Sequence, residues 1–191
     1  VTNSWLNGAS LWMHWMAEQG YIIFTLDNRG SGNRGFAFES QIHRQLGTVE
    51  IEDQMAGVNF LNSLPFIDNK RMSVHGWSFG GFMTTSLMLR KPGVYTTGVA
   101  GGPVTDWKYY EIMYGERYMD QPDENEKGYS EASLLNKTEN LEGKLLLIHG
   151  SSDDVVVMQH NLKLVQRFIE SEKQIDFFPY PMHKHNVYGK D

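Results

Sequence analysis

Three residue types, in a fixed order along the chain, suggest covalent catalysis. Ser78 lies within Gly76-Trp-Ser-Phe-Gly80, a match to G-x-S-x-G. An aspartate pair, Asp153 and Asp154, comes later, and a histidine pair, His183 and His185, comes last. A serine hydroxyl is a poor nucleophile at neutral pH. It needs a base within hydrogen-bond reach, and that base needs an acid to hold its tautomer and stabilise the imidazolium. Ser78 is therefore the candidate nucleophile, Asp153 the acid, and one of the two histidines the base. Asp153 is preferred because it is nearer the end of the preceding apolar run, and Asp154 is expected to cap the following helix. The backbone N–H of Phe79, directly after the serine, is expected to be one oxyanion donor. His183 and His185 could share a metal, but no third ligand of suitable spacing stands out, so neither metal nor cofactor is expected.

Such groups need strand ends to hold them. Residues 71–75 can form a short strand, and residues 82–90 a helix that Lys91-Pro-Gly93 stops. Gly76 and Gly80 carry no Cβ, so the turn between can be tight. Residues 21–26 are a continuous apolar, β-branched run, as expected for a strand buried on both faces. Residues 95–100, 144–149 and 175–180 read as further strands. Helical spacing covers residues 11–19 and 155–171. It also covers residues 49–64, where Thr48 can cap and Glu50, Glu52 and Asp53 suit the dipole of the first turn. The glycine-rich loop at 27–35 has no Gly-Lys-Ser/Thr and reads as structural. Strands alternating with helices predict a mostly parallel, doubly wound α/β sheet, with active-site residues at the carboxyl ends of strands. The order serine, acid, histidine is that of the α/β-hydrolase fold.

Between the elbow and the acid lies an aromatic stretch. Tyr110, Tyr114 and Tyr118 are spaced i, i+4, i+8, along one face of a helix. The stripe is either core or the wall of a pocket, since buried tyrosine hydroxyls need partners. His75 and His149 end strands and read as buried, hydrogen-bonded structural residues. His14, His43 and His160 carry no motif.

A chain of 191 residues predicts one domain with a real core. The net charge of −6, with both signs mixed along the chain, argues against nucleic acid and against anionic membranes as partners. With no cysteine, disulfides, thiolate metal sites and a cysteine nucleophile are excluded. No apolar run reaches membrane-spanning length. The sequence opens at Val1 in loop-like residues and stops at Gly189-Lys-Asp191, so it is read as part of a longer protein, truncated at both ends.

These residues together resemble the catalytic domain of the prolyl oligopeptidase clan of serine peptidases, in the dipeptidyl peptidase IV branch. The matching stretches are Asp27-Asn-Arg-Gly-Ser-Gly, His75-Gly-Trp-Ser-Phe-Gly-Gly, Trp107-Lys-Tyr-Tyr with Glu116-Arg-Tyr-Met, and His149-Gly-Ser-Ser-Asp-Asp. Val155-Val-Val-Met-Gln-His160 and Tyr180-Pro-Met-His-Lys-His-Asn186 look most like bacterial prolyl tripeptidyl peptidases of the Bacteroidetes. The resemblance spans nearly all of residues 1–191, as a partial C-terminal catalytic domain without the family's N-terminal β-propeller.

The resemblance implies a serine exopeptidase that releases a short N-terminal peptide after proline through an acyl-enzyme. By position, Ser78 is the nucleophile, Asp153 the acid and His185 the base. Val104, Trp107, Tyr110, Tyr114 and Val156 match residues of the proline pocket, which resolves the aromatic stripe as a pocket. Phe79 stands where dipeptidyl enzymes have tyrosine. Val155 stands where they have an asparagine that helps hold the substrate carbonyl, which favours tripeptide over dipeptide release. Glu111 is either a grip for the substrate's amino group or an ordinary exposed helix residue. An acylaminoacyl peptidase or esterase is the alternative enzyme, and a pseudo-peptidase binding module the non-enzyme alternative. The family also implies a homodimer in the full-length protein, a periplasmic or cell-surface setting, and an upstream tyrosine as second oxyanion donor. Without that donor and the propeller, the 191-residue piece alone is expected to have little activity.

Overall fold

The computed structural model describes residues 11–189. The loop read at residues 1–10 and the last two residues lie outside the described residues. Four strands form one parallel sheet in chain order: β1 (Ser73–Trp77), β2 (Thr97–Gly101), β3 (Lys144–Gly150) and β4 (Asp176–Tyr180). Helices separate them. α1 (Leu11–Glu18), α2 (Phe36–Glu39) and α3 (Val49–Asn62) precede β1. α4 (Phe79–Arg90) joins β1 to β2, α5 (Ile112–Met119) and α6 (Glu126–Ala132) lie between β2 and β3, and α7 (Gln159–Glu170) joins β3 to β4. This is the α/β arrangement the alternation predicts. The register pairs Trp77 with Gly101, Gly101 with Ile148, and Gly150 with Tyr180, so all four carboxyl ends lie along one rim.

Alternation along each strand decides what is buried. In β3, Leu145, Leu147 and His149 lie on one buried face while Leu146 and Ile148 are only partly covered. α4 packs on the same side, where Met88 approaches Gly98 of β2 and Leu145. Phe82, Leu89, Leu164 and Phe168 from α4 and α7 complete a dry core with Leu147 and Trp107. On the opposite side of the sheet, Trp12 of α1 sets its ring 5.2 Å from that of His75. His75 is nonetheless exposed at the sheet's face, not buried as its place at a strand end suggested.

Two further expectations change. Residues 21–26 are extended but join no ladder, and most of them are exposed. A strand is defined by ladder hydrogen bonds to a neighbour, and among the described residues this run pairs with none. Phe24 and Leu26 rest on Gly57 of α3 instead, and Gln54 Nε2 donates to the Leu26 carbonyl. The start of α3 is capped differently too. Thr48 makes no side-chain cap; Glu50 folds back, its carboxylate accepting from Gly47 N at 3.0 Å and Thr48 N at 3.1 Å. The loop at 27–35 is structural, as read. Arg29 donates to both Asp53 and Glu52, which holds the Asp53 carboxyl below its ordinary range.

Candidate active site

The elbow follows β1 directly. Ser78 has φ 59° and ψ −118°, a conformation that costs a non-glycine residue about 1–3 kcal/mol. Its N–H donates to Gly101 O at 2.8 Å, tying the elbow to the end of β2. The turn fits only because the chain lacks side chains at two points. A Cβ on Gly76 would come within 2.3 Å of Gly80 O, and one on Gly81 within 2.6 Å of Gly101 O. Gly80, expected to be the second close approach, has open space where a Cβ would stand. The helix meets β2 one residue later than the motif suggests. Phe79 begins α4, so its N–H has no intrahelical acceptor and is free to serve an oxyanion.

The candidate acid and base, Asp153 and His185, come from the next two rim loops. Asp153 Oδ2 accepts from His185 Nδ1 at 2.8 Å, with the Asp153 side chain fully buried and that of His185 15% exposed. Asp153 Oδ1 accepts from Val155 N and Val156 N, both at 2.9 Å. Asp153 thus also does the local capping assigned to Asp154. Asp154 instead pairs with Lys184 at 2.6 Å, while α7 starts later, at Gln159. The histidine loop is pinned from two sides. Trp77 Nε1 donates to His185 O at 2.8 Å. A Cβ on Gly150 would fall 2.3 Å from both His183 O and Lys184 O, so that loop lies directly on the end of β3.

Serine and histidine converge on Gly101 and Gly102. Ser78 N bonds to Gly101, and a Cβ on Gly102 would sit 3.3 Å from His185 Cε1 and 3.6 Å from Asp153 Oδ2. Gly102 has φ +47°, so a bare α-carbon both permits the turn and leaves room for the imidazole. Asp153 and His185 are therefore in contact, while Ser78 Oγ has no hydrogen bond to His185. Trp77, Gly102 and Lys184 were not singled out from sequence.

The aromatic stretch folds into a cluster, although not along one helix. Residues 107–109 form a single 3₁₀ turn, and Tyr110 precedes α5. Trp107 stacks on Tyr114 at 5.6 Å, and Tyr110 meets both edge-on, at 5.7 and 5.4 Å. Trp107, Val104 and Val156 are buried, and Tyr110 and Tyr114 are half-buried, so the two tyrosines form the accessible part of this wall. Burial pushes the Tyr114 hydroxyl up to about 12 and raises that of Tyr110, which keeps both neutral. Glu111 is exposed, and its carboxylate accepts from Met113 N at 3.0 Å, capping α5. An open groove of about 510 Å³ runs past His185 along Val155, Pro181, Met182, Asn186 and Tyr188.

Residues 8–191 match the model of the prolyl oligopeptidase family. The chain belongs to this family. Within it, mouse and human dipeptidyl peptidase 8 are 36% identical over 176 residues, 90% of this chain and 20% of theirs. The chain thus spans about a fifth of those relatives. A crystal structure from Bacteroides ovatus, assigned as a dipeptidyl aminopeptidase IV, is 56% identical with a TM-score of 0.93, over 94% of this chain and 26% of that one. Porphyromonas gingivalis dipeptidyl peptidase 4 is 35% identical with a TM-score of 0.90, over 93% and 25%. The prolyl oligopeptidase fold is thus that of an α/β-hydrolase here as well.

Proposed function

We propose that this chain carries the triad of a serine aminopeptidase that releases a short N-terminal peptide after proline. The observation behind the proposal is the 2.8 Å hydrogen bond from His185 Nδ1 to Asp153, at the same rim as the strained Ser78. With Nδ1 carrying its proton toward the acid, Nε2 of neutral His185 is the basic nitrogen. In the proposed reaction that nitrogen takes the Ser78 proton as Oγ attacks the carbonyl carbon. The negative oxygen forms beside the Phe79 N–H. The C–N bond then breaks, the departing amine takes the proton from His185, and water releases the acyl group by the same route. The half-buried faces of Tyr110 and Tyr114 suit a pyrrolidine ring, which brings no N–H to satisfy.

The length of the released peptide is the finer question. The relatives are named dipeptidyl peptidases. Val155, 45% exposed beside the acid, favours tripeptide release, because an aliphatic side chain offers no donor to a substrate carbonyl. The proposal extends to a homodimer in the periplasm or at the cell surface on family resemblance alone. The test uses the full-length protein with Ser78→Ala as control. Release of p-nitroaniline from Xaa-Pro, Xaa-Xaa-Pro and N-blocked Xaa-Xaa-Pro is compared. Preference for either free-amine substrate supports an aminopeptidase and sets its register. Turnover of the blocked peptide alone removes the aminopeptidase reading and points to acylaminoacyl chemistry.

A further inference from the structure

We infer that His160 is a positioning residue for the aromatic wall: it ties the segment carrying Val104, Trp107 and Tyr110 to the start of α7, and so sets the preference for proline. The inference rests on the pocket reading proposed above. His160 is the second residue of α7 and is fully buried. Its Nδ1 accepts from Thr105 N at 3.1 Å. A backbone N–H can only donate, so Nδ1 carries no proton and the ring proton of neutral His160 is on Nε2. Thr105 returns the bond. Its Oγ1, 3.3 Å from Nδ1, donates to His160 O at 3.0 Å. Two buried hydrogen bonds therefore join one residue of α7 to one residue of the segment.

Thr105 is well placed to transmit that tie. It directly follows Val104 and stands two residues before Trp107. The His160 ring packs on the same stretch, meeting Tyr109 at 5.9 Å and Tyr110 at 6.4 Å, both edge-on. One turn along α7, Lys163 Nζ donates to the Tyr109 hydroxyl at 3.0 Å. The segment is also tied to residues after α6: Leu134 N donates to Thr105 O at 2.9 Å, and Ser133 Oγ to Asp106 at 2.8 Å. At its other end the chain entering α7 is fixed to the acid, since Val156 N donates to Asp153 at 2.9 Å. His160 is thus the joint between the acid loop and the wall. Its hydrogen bonds touch neither Ser78 nor His185, so its effect falls on how substrate is held and not on proton transfer.

The experiment uses the full-length protein, with active serines counted by fluorophosphonate labelling. The substrates are free-amine p-nitroanilides of the preferred register, with proline or alanine before the scissile bond. His160→Phe keeps a flat ring against the tyrosines and leaves Thr105 N without its acceptor. We expect the proline-to-alanine ratio of kcat/KM to fall about fivefold, the change that one neutral hydrogen bond is worth. The fall is carried by KM, with kcat per labelled site within about twofold of the parent, since no bond of the Asp153–His185 pair is altered. His160→Asn can place an acceptor near the Nδ1 position and restores most of the ratio. His160→Gln reaches the Nε2 position instead and does not. An unmoved ratio in His160→Phe, a loss carried by kcat alone, or equal ratios for Asn and Gln overturns the inference. A merely structural role lowers the number of labelled sites and leaves the ratio per site unchanged. Should His160→Phe fail to fold, Thr105→Val removes the second tie at nearly constant shape. A fall of at least about twofold in the ratio then supports the inference, and an unmoved ratio overturns it. Tyr110→Ala and Tyr114→Ala keep the two readings apart. If they leave the ratio unmoved, the pocket itself is wrong. If they abolish it while His160→Phe does nothing, only the role of His160 falls.

Discussion

Trp77→Phe is the sharpest test of how the proposed base, His185, is held. The indole Nε1–H donates to His185 O at 2.8 Å, across a separation of 108 residues. Phenylalanine keeps a ring near Gly101 but deletes the donor together with the second ring of the indole. A neutral hydrogen bond of this kind contributes about 1 kcal/mol net. If that energy holds His185 in its productive position, its loss divides the rate by about five, since 1.36 kcal/mol is one decade. We therefore expect kcat to fall about three- to tenfold in the full-length protein, with KM nearly unchanged. The assay is p-nitroaniline release normalised to fluorophosphonate-titrated sites, which removes misfolded protein from the count. An unchanged kcat would refute the reasoning and leave the Gly150 contact as the holder of the loop. A companion variant bounds the effect from above. A Cβ on Gly101 would sit 1.9 Å from the Trp77 ring, so Gly101→Ala must displace the whole indole and should cost more than Trp77→Phe.

Other outcomes follow from the same geometry. Gly81→Ala puts a methyl 2.6 Å from Gly101 O and 3.1 Å from Pro103 Cα, both backbone. It should destabilise by at least the ~1–3 kcal/mol typical of overpacking, seen as a lower denaturation midpoint. Glu111→Asp retains a good helix cap but shortens the reach, so a raised KM confined to free-amine substrates indicates a substrate role, and no change leaves only the cap. His160 is fully buried, and burial lowers its pKa to about 4. The unfolded chain takes up that proton first, from about pH 6.5, so stability falls as pH drops from 6.5 toward 4, by about 3 kcal/mol in all. His160→Asn can still accept from Thr105 N and should flatten that part of a pH series of denaturant melts. Glu50 slopes the other way. Burial raises its carboxyl, so its contribution is greatest in acid and declines as pH climbs above 4.5, a trend that Glu50→Gln should remove.

What the sequence disclosed depended on the range of the forces involved. The elbow and the order of the proposed triad residues are local patterns at strand ends, and strands β3 and β4 announce themselves by apolar runs. Their chemistry is carried in a few adjacent residues. Residues 21–26 misled because composition reports the burial a run could accept, whereas a strand is defined by a neighbour. Thr48 misled because the start of the helix is held from the other side, by the Glu50 carboxylate reaching back to the amides of Gly47 and Thr48. The division of labour between Asp153 and Asp154 was half legible. Proximity to β3 pointed to Asp153, which the fold places against His185, but only the fold brings Lys184 opposite Asp154. His149 was legible as a buried structural residue from its place at the end of an aliphatic strand, and it is buried and hydrogen-bonded to Val156 O and Asn161.

The backbone of Ser78 has a consequence for how such proteins drift. Its φ of 59° burdens a serine and is effortless for glycine. Ser78→Gly should therefore give a chain more stable than the parent by up to the ~1–3 kcal/mol of strain, and inert. Selection on folding alone would favour that exchange at every generation. Under the proposed function the serine persists only where its chemistry is used, so the residue at this one position would be a sensitive record of whether a lineage keeps that activity.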